Sequence, residues 1–391
     1  MQVGAGWRSV RAAGVALAAM LALAPRAAAA DLWTQTGSSI TSVNYWQGIT
    51  FAPASGAFFF DGLATGLWRT DAALRRTAGR SSGIPSSVRS AEGWNHLGDL
   101  SFDATGGGRL LVPLECYWPG APDPNTCKTG GFGVVDPTTL AWRYYVKLDP
   151  TQIAKAMWVE ASPDGLLWTS SGNDLLAYRA ADVNPANAAP AAAPIHSVRR
   201  LAGAVPPSGV TGAAFQGGRL FLSGAQGTTY QIWSVNLATG ARRLEVELKN
   251  VQGEAEGLHI TSLLGGTLHF LVAPLAQKPT FGPSVGLLHF TRAGRPGLRV
   301  SARATRTASH RPRVSVKVTR RGAPVEGATV TVAGKRARTN AKGAATLKPV
   351  LDVAGRFAAI GRKGRLEGRS RFLQLGPAAA AGSAAGSAAL R

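Results

Sequence analysis

The sequence predicts an all-β protein in which a β-propeller is followed by a small β-sandwich. Three observations favour this fold class. A pattern of short apolar strands recurs between Trp46 and Phe290, no long stretch shows the apolar periodicity of a helix, and the C-terminal part alternates apolar and polar residues. The chain has 391 residues, of which 45% are hydrophobic, so it can bury more than one core.

The N-terminal segment has the features of a secretory signal. Two arginines precede an apolar run over residues 12–24, and Ala28-Ala29-Ala30 stand before Asp31. A basic start, an apolar centre and small residues at the cleavage point define such signals. We therefore expect residues 1–30 to be removed, and the mature chain to be secreted or associated with the cell envelope without a transmembrane segment. An uncleaved N-terminal anchor is the alternative.

Five copies of one strand pattern follow. The pattern is a small residue and an apolar one, a short turn, and two further β-rich runs; four copies open with glycine and the third opens with Trp158. The copies begin at residues 48, 98, 158, 212 and 257. This spacing suits four-stranded propeller blades with insertions. The fifth copy lacks a fourth strand before Pro296, and we expect Leu32-Trp33-Thr34 to supply that strand and close the ring.

The copies therefore predict a five-bladed propeller over residues 31–295. Two alternatives stay open. A six-bladed propeller would result if residues 31–43 contributed more than one strand, and a β-sandwich would show the same alternation of apolar and polar residues.

Three short motifs resemble those of a known group. Residues 46–49, 162–165 and 254–258 (Trp-Gln-Gly-Ile, Ser-Pro-Asp-Gly and Glu-Ala-Glu-Gly-Leu) are similar to blade openings of secreted bacterial propellers in the broad gluconolactonase-like and NHL-like superfamilies. The resemblance implies the architecture, while these superfamilies host hydrolases, lyases and binding scaffolds alike. The Glu-Gly pair of the third motif resembles the metal-binding blade opening of gluconolactonase-like enzymes.

Positive charge is concentrated in the C-terminal part. Residues 296–391 contain 20 lysines and arginines against three acidic residues, a net charge of +17, while the whole chain has +22. A Gly/Pro break at Gly294-Arg295-Pro296-Gly297 marks the linker. Alternating runs such as Val314–Val318 predict strands with one solvated face. The basic domain is thus expected over residues 296–375.

This basic domain also resembles a known class. Residues 322–330 and 339–347 are similar to bacterial Ig-like and carboxypeptidase-regulatory-like domains, which implies a β-sandwich that acts as a spacer or adhesion unit. The alternative is that its arginines only solvate a strand face. Phe357 and Phe372 are its aromatic residues, which does not favour binding of nucleic acid by base stacking. The Ala/Gly/Ser-rich residues 376–391 predict a flexible tail.

Candidate site residues follow from propeller topology. Innermost strands begin, and second strands end, on the same face, so side chains at those places converge at the channel mouth. Polar residues at these places are Gln47, Asn95, His96, Asp99, Glu254 and Glu256 at strand starts, and Asp61 and Glu115 at second-strand ends. From these polar residues we select five as candidate ligands of a divalent cation, namely Glu256, Glu115, Asp99, His96 and Asn95. Oxygen ligands favour Ca²⁺; the alternative is that these carboxylates cap turns or pair with arginines.

The cysteines predict a crosslink. Cys116 and Cys127 are the two cysteines of an exported chain, and their close spacing predicts a loop-closing disulfide. His259, His269 and His289 lie within strands, and we expect them to be packing or cross-strand residues.

Two functions from different classes are consistent with these patterns. The first is a secreted or envelope-associated, monomeric propeller that binds a small molecule or glycan, and whose basic domain holds it near an anionic envelope polymer. The second is a metal-dependent, lactonase-like hydrolase or lyase acting at the channel mouth. The usual hydrolase and NTPase motifs are absent from the sequence. The sequence names no catalytic residue and leaves open whether the protein is an enzyme.

Overall fold

The computed structural model describes residues 33–62, 65–105, 107–118, 120–121, 127–251, 253–264, 266–273, 285–292, 295–306, 312–349, 355–371 and 373–375. The expected signal at 1–30, Leu32 and the expected tail at 376–391 lie outside these residues. Most described residues are in strands or turns, which confirms the all-β prediction. Helical segments are α1 (Ser86–Glu92) and two 3₁₀ turns, Ala180–Asp182 and Pro185–Asn187. Within the described ranges no helix is long and apolar enough to span a lipid bilayer.

Strand β1 (Trp33–Thr41) comes first and is followed by five antiparallel sheets. The first sheet contains β2 (Ile49–Ala52), β3 (Ala57–Gly62), β4 (Gly66–Thr70) and β5 (Arg76–Arg80). The second contains β6 (His96–Leu97), β7 (Ser101–Asp103), β8 (Arg109–Glu115), β9 (Gly131–Val135) and β10 (Trp142–Lys147). Both β6 and β7 pair with β8, so the innermost strand of the second sheet is in two pieces.

The other three sheets repeat the same order. The third contains β11 (Glu160–Ala161), β12 (Leu166–Ser171), β13 (Asp174–Arg179) and β14 (Arg199–Leu201). The fourth contains β15 (Gly212–Gln216), β16 (Arg219–Gln226), β17 (Thr229–Asn236) and β18 (Arg242–Leu248). The fifth contains β19 (Glu254–Ile260), β20 (Leu268–Ala273) and β21 (Val285–Arg292), with β1 as its outer strand.

The first strands of the five sheets pack around a common axis. In order, β2 contacts β7, β7 contacts β11, β11 contacts β15, β15 contacts β19, and β19 returns to β2. Such a closed ring of radial sheets is a β-propeller. Glycines allow the strand backbones to meet: a Cβ on Gly257 would lie 2.8 Å from Gly48 Cα, and one on Gly212 would lie 2.8 Å from Gly257 Cα. The small residue that opens these copies is therefore a packing requirement at the axis.

Strand β1 closes the ring. It pairs antiparallel with β21, from Trp33 opposite Arg292 to Thr41 opposite Val285. The buried Trp33 indole donates a 2.9 Å hydrogen bond to Glu245 Oε2 in the fourth sheet. The outer strand of the last sheet thus comes from the N-terminal segment, the place predicted from the sequence for Leu32-Trp33-Thr34.

The three histidines of the fifth sheet form a cross-strand row. His259 pairs with His269 and His269 with His289, as expected for cross-strand residues. His269 Nδ1 and His289 Nδ1 are 2.9 Å apart, and His289 Nε2 is 2.8 Å from Ser39 Oγ on β1. Burial lowers the pKa of His259 and His289 to about 3 and that of His269 to about 4. All three are therefore neutral at neutral pH.

The C-terminal part forms further sheets around one core. Its strands are β22 (Arg295–Pro296), β23 (Arg299–Arg306), β24 (Pro312–Arg320), β25 (Ala323–Pro324), β26 (Thr329–Val332), β27 (Lys335–Arg338), β28 (Ala344–Leu347), β29 (Gly355–Phe357), β30 (Ile360–Lys363), β31 (Leu366–Arg369) and β32 (Leu373–Leu375). One sheet has the order β22-β31-β30-β26-β27, another joins β23, β24, β25 and β28, and β29 pairs with β32. The buried side chains of this part, such as Val316, Val330 and Phe357, form one hydrophobic cluster.

The disulfide prediction is confirmed. Cys116, directly after β8, is bonded to Cys127, and both residues are buried. Replacing both with serine is expected to lower the free energy of unfolding by about 2–3 kcal/mol, because the unfolded chain regains the entropy of an open loop. Urea denaturation measures this change. The wild type with its disulfide reduced is the control and is expected to match the double variant, and an unchanged midpoint in both would contradict the prediction.

Candidate functional site

A cavity of about 1270 Å³ lies where the innermost strands begin, and we call it the mouth cavity. Segments from all five sheets line it, so its shape depends on closure of the whole ring. Its aromatic, acidic, basic and amide lining residues are Trp46, Gln47, Asn95, His96, Glu115, Tyr117, Lys155, Tyr230, Glu254 and Glu256. This is the end of the channel at which the sequence predicted a site.

Four of the five predicted site residues line the mouth cavity, namely Glu256, Glu115, His96 and Asn95. The fifth, Asp99, is not part of its lining. The structure therefore brings most of the predicted set to one cavity, but the roles of the members differ, as the contacts of each one show.

Asp99 lies at the axis, between β6 and β7. Its carboxylate is buried and accepts hydrogen bonds from the backbone N–H groups of Ile49 (2.9 Å), Ala213 (2.8 Å) and Leu258 (3.3 Å). Its own N–H donates to the carbonyl of Met157 at 3.1 Å. One residue of the second sheet thus bonds to the other four sheets. Burial raises the pKa of Asp99 well above its usual range.

Asn95 forms two hydrogen bonds with the backbone of Tyr117 beside the cavity. Its amide oxygen accepts a 2.7 Å hydrogen bond from the N–H of Tyr117, and its amide nitrogen donates to the Tyr117 carbonyl at 2.8 Å. Tyr117 follows the disulfide residue Cys116 and is about half exposed. Its ring lies 5.9 Å from that of His96, centroid to centroid. Asn95 therefore holds an aromatic side chain beside the cavity.

Glu115 ends β8 in the cavity wall and is nine-tenths buried. Burial raises its pKa to about 7, against the effect of the Lys155 ammonium. His96 Nε2 is 3.8 Å from Glu115 Oε1, and burial lowers the pKa of His96 to about 4. At neutral pH the imidazole is therefore uncharged, and Glu115 lacks a charged partner at hydrogen-bond distance among the described residues.

Glu256 on β19 is the second buried carboxyl of the wall. Burial raises its pKa well above the usual range, and the neighbouring carboxyls of Glu254 and Glu115 add to the effect. Among the described lining residues, Lys155 is the single lysine or arginine. The cavity is thus richer in carboxyl groups than in cations among its described lining residues, which favours the protonated forms of the buried carboxyls.

A third carboxyl lies close to the axis. Asp61 is the next-to-last residue of β3, and within the described part of the chain neither of its buried oxygens has a hydrogen-bond partner. A Cβ on Gly48 would lie 2.6 Å from Asp61 Oδ1, so the chain leaves room for this side chain only because residue 48 is glycine. Burial raises the pKa of Asp61 well above its usual range.

Sequence reasoning missed several lining residues. Lys155 lies three residues before the start of the third copy, outside the positions at strand starts that the sequence analysis considered. Tyr117 stands directly after a predicted disulfide cysteine. Trp46 lies inside the first blade-opening motif. Tyr230 gave no comparable signal, because its role depends on the backbone of Gly253, which accepts a hydrogen bond from its hydroxyl.

The described residues contain no group of three or more His, Cys, Asp or Glu side chains placed to hold a metal ion. Glu115 and Glu256 line one cavity, while the Asn95 amide and the Asp99 carboxylate are bonded to backbone groups. The cation site predicted for this set stays a prediction.

Comparisons with known proteins return structures alone. No protein-family profile and no curated protein matches the chain. Similar solved structures include the PQQ-bound aldose sugar dehydrogenase of Streptomyces coelicolor, with 11% identity, 66% of this chain and 99% of that chain covered, and a TM-score of 0.33. The soluble aldose sugar dehydrogenase of Escherichia coli has 11% identity, the same 66% and 99% coverage, and a TM-score of 0.38. A gluconolactonase from Xanthomonas campestris has 14% identity, 66% and 91% coverage, and a TM-score of 0.36. We draw no functional conclusion from likenesses this distant.

Proposed function

We propose that this protein is a secreted or envelope-associated, monomeric five-bladed propeller whose mouth cavity binds a small hydroxyl-rich ligand such as a sugar unit. One observation carries the proposal: Glu115 and Glu256 are each nine-tenths buried, line the same cavity and form no ion pair with a lysine or arginine of the described residues. A buried carboxyl group without a close cation favours partners that supply hydrogen bonds. The hydroxyl groups of a ligand in the cavity can supply them.

The other lining groups support a ligand of this chemistry. Trp46 and Tyr117 offer aromatic surface to the apolar face of a ring. A hydroxyl group both donates and accepts, so it satisfies Glu115 in either protonation state. A cavity with apolar walls and a few convergent polar groups is the usual form of a small-molecule site.

The C-terminal sheets complete the proposal. We assign them to an Ig-like sandwich that holds the propeller near an anionic envelope polymer, because this part carries a net charge of +17. The disulfide supports an oxidising, extracellular location.

A second function is favoured by one observation. Glu115 has a pKa of about 7, the value at which a carboxyl group both donates and accepts protons near neutral pH. This supports a lactonase-like hydrolase or lyase in which Glu115 is the general acid or base at the mouth. A divalent cation at the channel mouth stays part of this alternative.

Thermal melting with defined ligands tests the proposal. We expect neutral mono- and disaccharides to raise the melting temperature of the wild type, because a ligand that binds the folded state stabilises it. Glu115→Gln and Glu256→Gln are each expected to need at least about tenfold more ligand for the same rise in melting temperature. This corresponds to a loss of about 1.4 kcal/mol in binding free energy. Glu247→Gln changes an exposed glutamate of β18 and is the matched control. Equal shifts in all four proteins would contradict the assignment of the site.

The same proteins separate the two functions. Aldonolactones are added at neutral pH and their hydrolysis is followed; turnover that is lost in Glu115→Gln identifies the enzyme. Ca²⁺, Mg²⁺, Mn²⁺ and Zn²⁺ are added singly to metal-stripped protein. A melting shift with one ion that Glu256→Gln abolishes supports the cation, and no shift with any ion contradicts it.

A further inference from the structure

One face of the β23–β24 strand pair carries four cations. Along β24 the residues alternate between buried and exposed, and the exposed members include Arg313 and Lys317. On β23 the exposed members include Arg299 and Arg303. The buried members of both strands, such as Val316, belong to the hydrophobic cluster, so the four cations lie on the solvent face of the sheet. We call this surface the basic face.

The register places the four cations in a zigzag. Arg299 lies opposite Thr319, Lys317 opposite Ser301, Arg303 opposite Ser315, and Arg313 opposite Thr305. Each cation is therefore one row along and one strand across from the next. Diagonal neighbours of this kind are roughly 7–8 Å apart. The result is a regular row of positive charges with a hydroxyl group opposite each one.

No carboxylate of the described residues pairs with this row. Within the described residues, none of Arg299, Arg303, Arg313 and Lys317 forms an ion pair. The sheet that contains β30 and β31 differs, because there Glu367 forms ion pairs with Arg362 at 2.6 Å and with Arg369 at 3.3 Å. Cations closer together than a Debye length of roughly 8 Å repel each other appreciably at physiological ionic strength. Four such groups held on one flat face are thus complementary to a linear anion.

We propose that the basic face binds a linear phosphodiester polymer of the cell envelope, with successive phosphates on Arg299, Lys317, Arg303 and Arg313. This inference rests on the proposed surface-binding role of the C-terminal domain and names its partner and contact residues. A phosphodiester chain with a short polyol spacer repeats its charge at a comparable interval. Guanidinium groups bind two phosphate oxygens at once, and the intervening hydroxyls of Ser301, Ser315 and Thr319 donate to others.

Single-stranded nucleic acid fits this face less well. Binding of single strands draws on aromatic side chains on which bases stack. The residues of β23 and β24 include no Phe, Tyr or Trp. A polymer without bases does not depend on aromatic side chains for its affinity. The face therefore favours a phosphate–polyol chain.

Charge-matched variants of the full chain test the proposal. The face variant carries Arg299→Gln, Arg303→Gln, Arg313→Gln and Lys317→Gln. The control variant removes the same charge from exposed residues of other strands, by Lys335→Gln, Arg336→Gln, Arg338→Gln and Lys363→Gln. Binding to poly(glycerol phosphate), polyglutamate and single-stranded DNA of similar length is measured at several salt concentrations, and thermal melting confirms that each variant folds. Arg303→Glu alone is the second probe, should the face variant melt early.

We expect the face variant to lose about tenfold or more in affinity for poly(glycerol phosphate) and to show a shallower salt dependence, because fewer counterions are released. The control variant is expected to stay within about threefold of the wild type. Equal losses in both variants would overturn the basic face, while leaving the surface-binding role intact. Tighter wild-type binding of DNA or polyglutamate would overturn the polymer assignment. No binding of any polymer by the wild type would overturn the surface-binding role itself, and sugar binding at the mouth is measured separately.

Discussion

Asp99→Ala is expected to lower the free energy of unfolding by about 3–5 kcal/mol. The substitution leaves the buried N–H groups of Ile49, Ala213 and Leu258 without an acceptor, and each unsatisfied donor costs about 1–3 kcal/mol. These groups belong to three different sheets, so the loss falls on contacts that hold the ring together. The methyl group also leaves a void where the carboxylate was.

Urea denaturation at pH 6 measures the effect. Asp164→Ala removes a carboxylate from the surface turn of the Ser162-Pro163-Asp164-Gly165 motif, where it accepts from the Ser162 hydroxyl, and is the matched control. We expect it to cost less than about 1 kcal/mol. A cost for Asp99→Ala no larger than that of the control would show that Asp99 does not hold the ring.

Stability is also expected to fall by about 2 kcal/mol or more between pH 6.5 and pH 8. Burial raises the pKa of Glu160 from 4.5 to about 8, so the folded chain keeps a proton that the unfolded chain has lost. The stabilisation is complete below pH 4.5 and is lost as the pH rises to 8, at about 1.4 kcal/mol per pH unit. Glu115, with a pKa of about 7, contributes in the same direction.

The buried histidines change the free energy of unfolding with pH only on the acidic side of neutrality. Their folded-state pKa lies below the ordinary 6.5, so their contribution is present above pH 6.5 and is lost as the pH falls toward 3 or 4. Above pH 6.5 they no longer change stability with pH, and the decline there is due to the carboxyl groups.

Glu160→Gln tests the assignment. The glutamine oxygen can accept from the N–H of Phe215, and its amide can donate to the Ser101 hydroxyl, so both bonds of Glu160 are kept without a titrating group. We expect melting temperatures near wild type at pH 6 and a smaller decline toward pH 8. Glu247→Gln should follow the wild type. A decline in Glu160→Gln as steep as in the wild type would contradict the role of Glu160.

The fold was largely predictable because its signals are local. Apolar strands recur with small residues at their starts, and residues such as Gly48 and Gly257 are small because backbones meet there. The disulfide followed from two cysteines near each other in the chain. The outer strand of the last sheet followed from counting strands in the fifth copy. The boundary between the propeller and the basic domain stays a prediction.

The location of the site could be predicted from the sequence, but the contacts that its residues make could not. His96 and Asp99 are three residues apart, yet one lines the cavity and the other bonds to backbone at the axis, because the innermost strand of the second sheet is broken between them. Asn95 is engaged by Tyr117, 22 residues away. Sequence position near a strand start does not reveal partners of this kind, since they depend on how five separate segments converge.

The pairing of β1 with β21 has a consequence for how the molecule is made. Trp33 and Arg292 are partners in one sheet although most of the propeller lies between them in the chain. During synthesis the N-terminal strand therefore stays unpaired until the strands of the last sheet have been made. In that interval its exposed edge can pair with a wrong strand. Long-range pairing of this kind also slows folding. Premature release of a truncated chain is thus expected to yield aggregates, not a propeller with one sheet fewer.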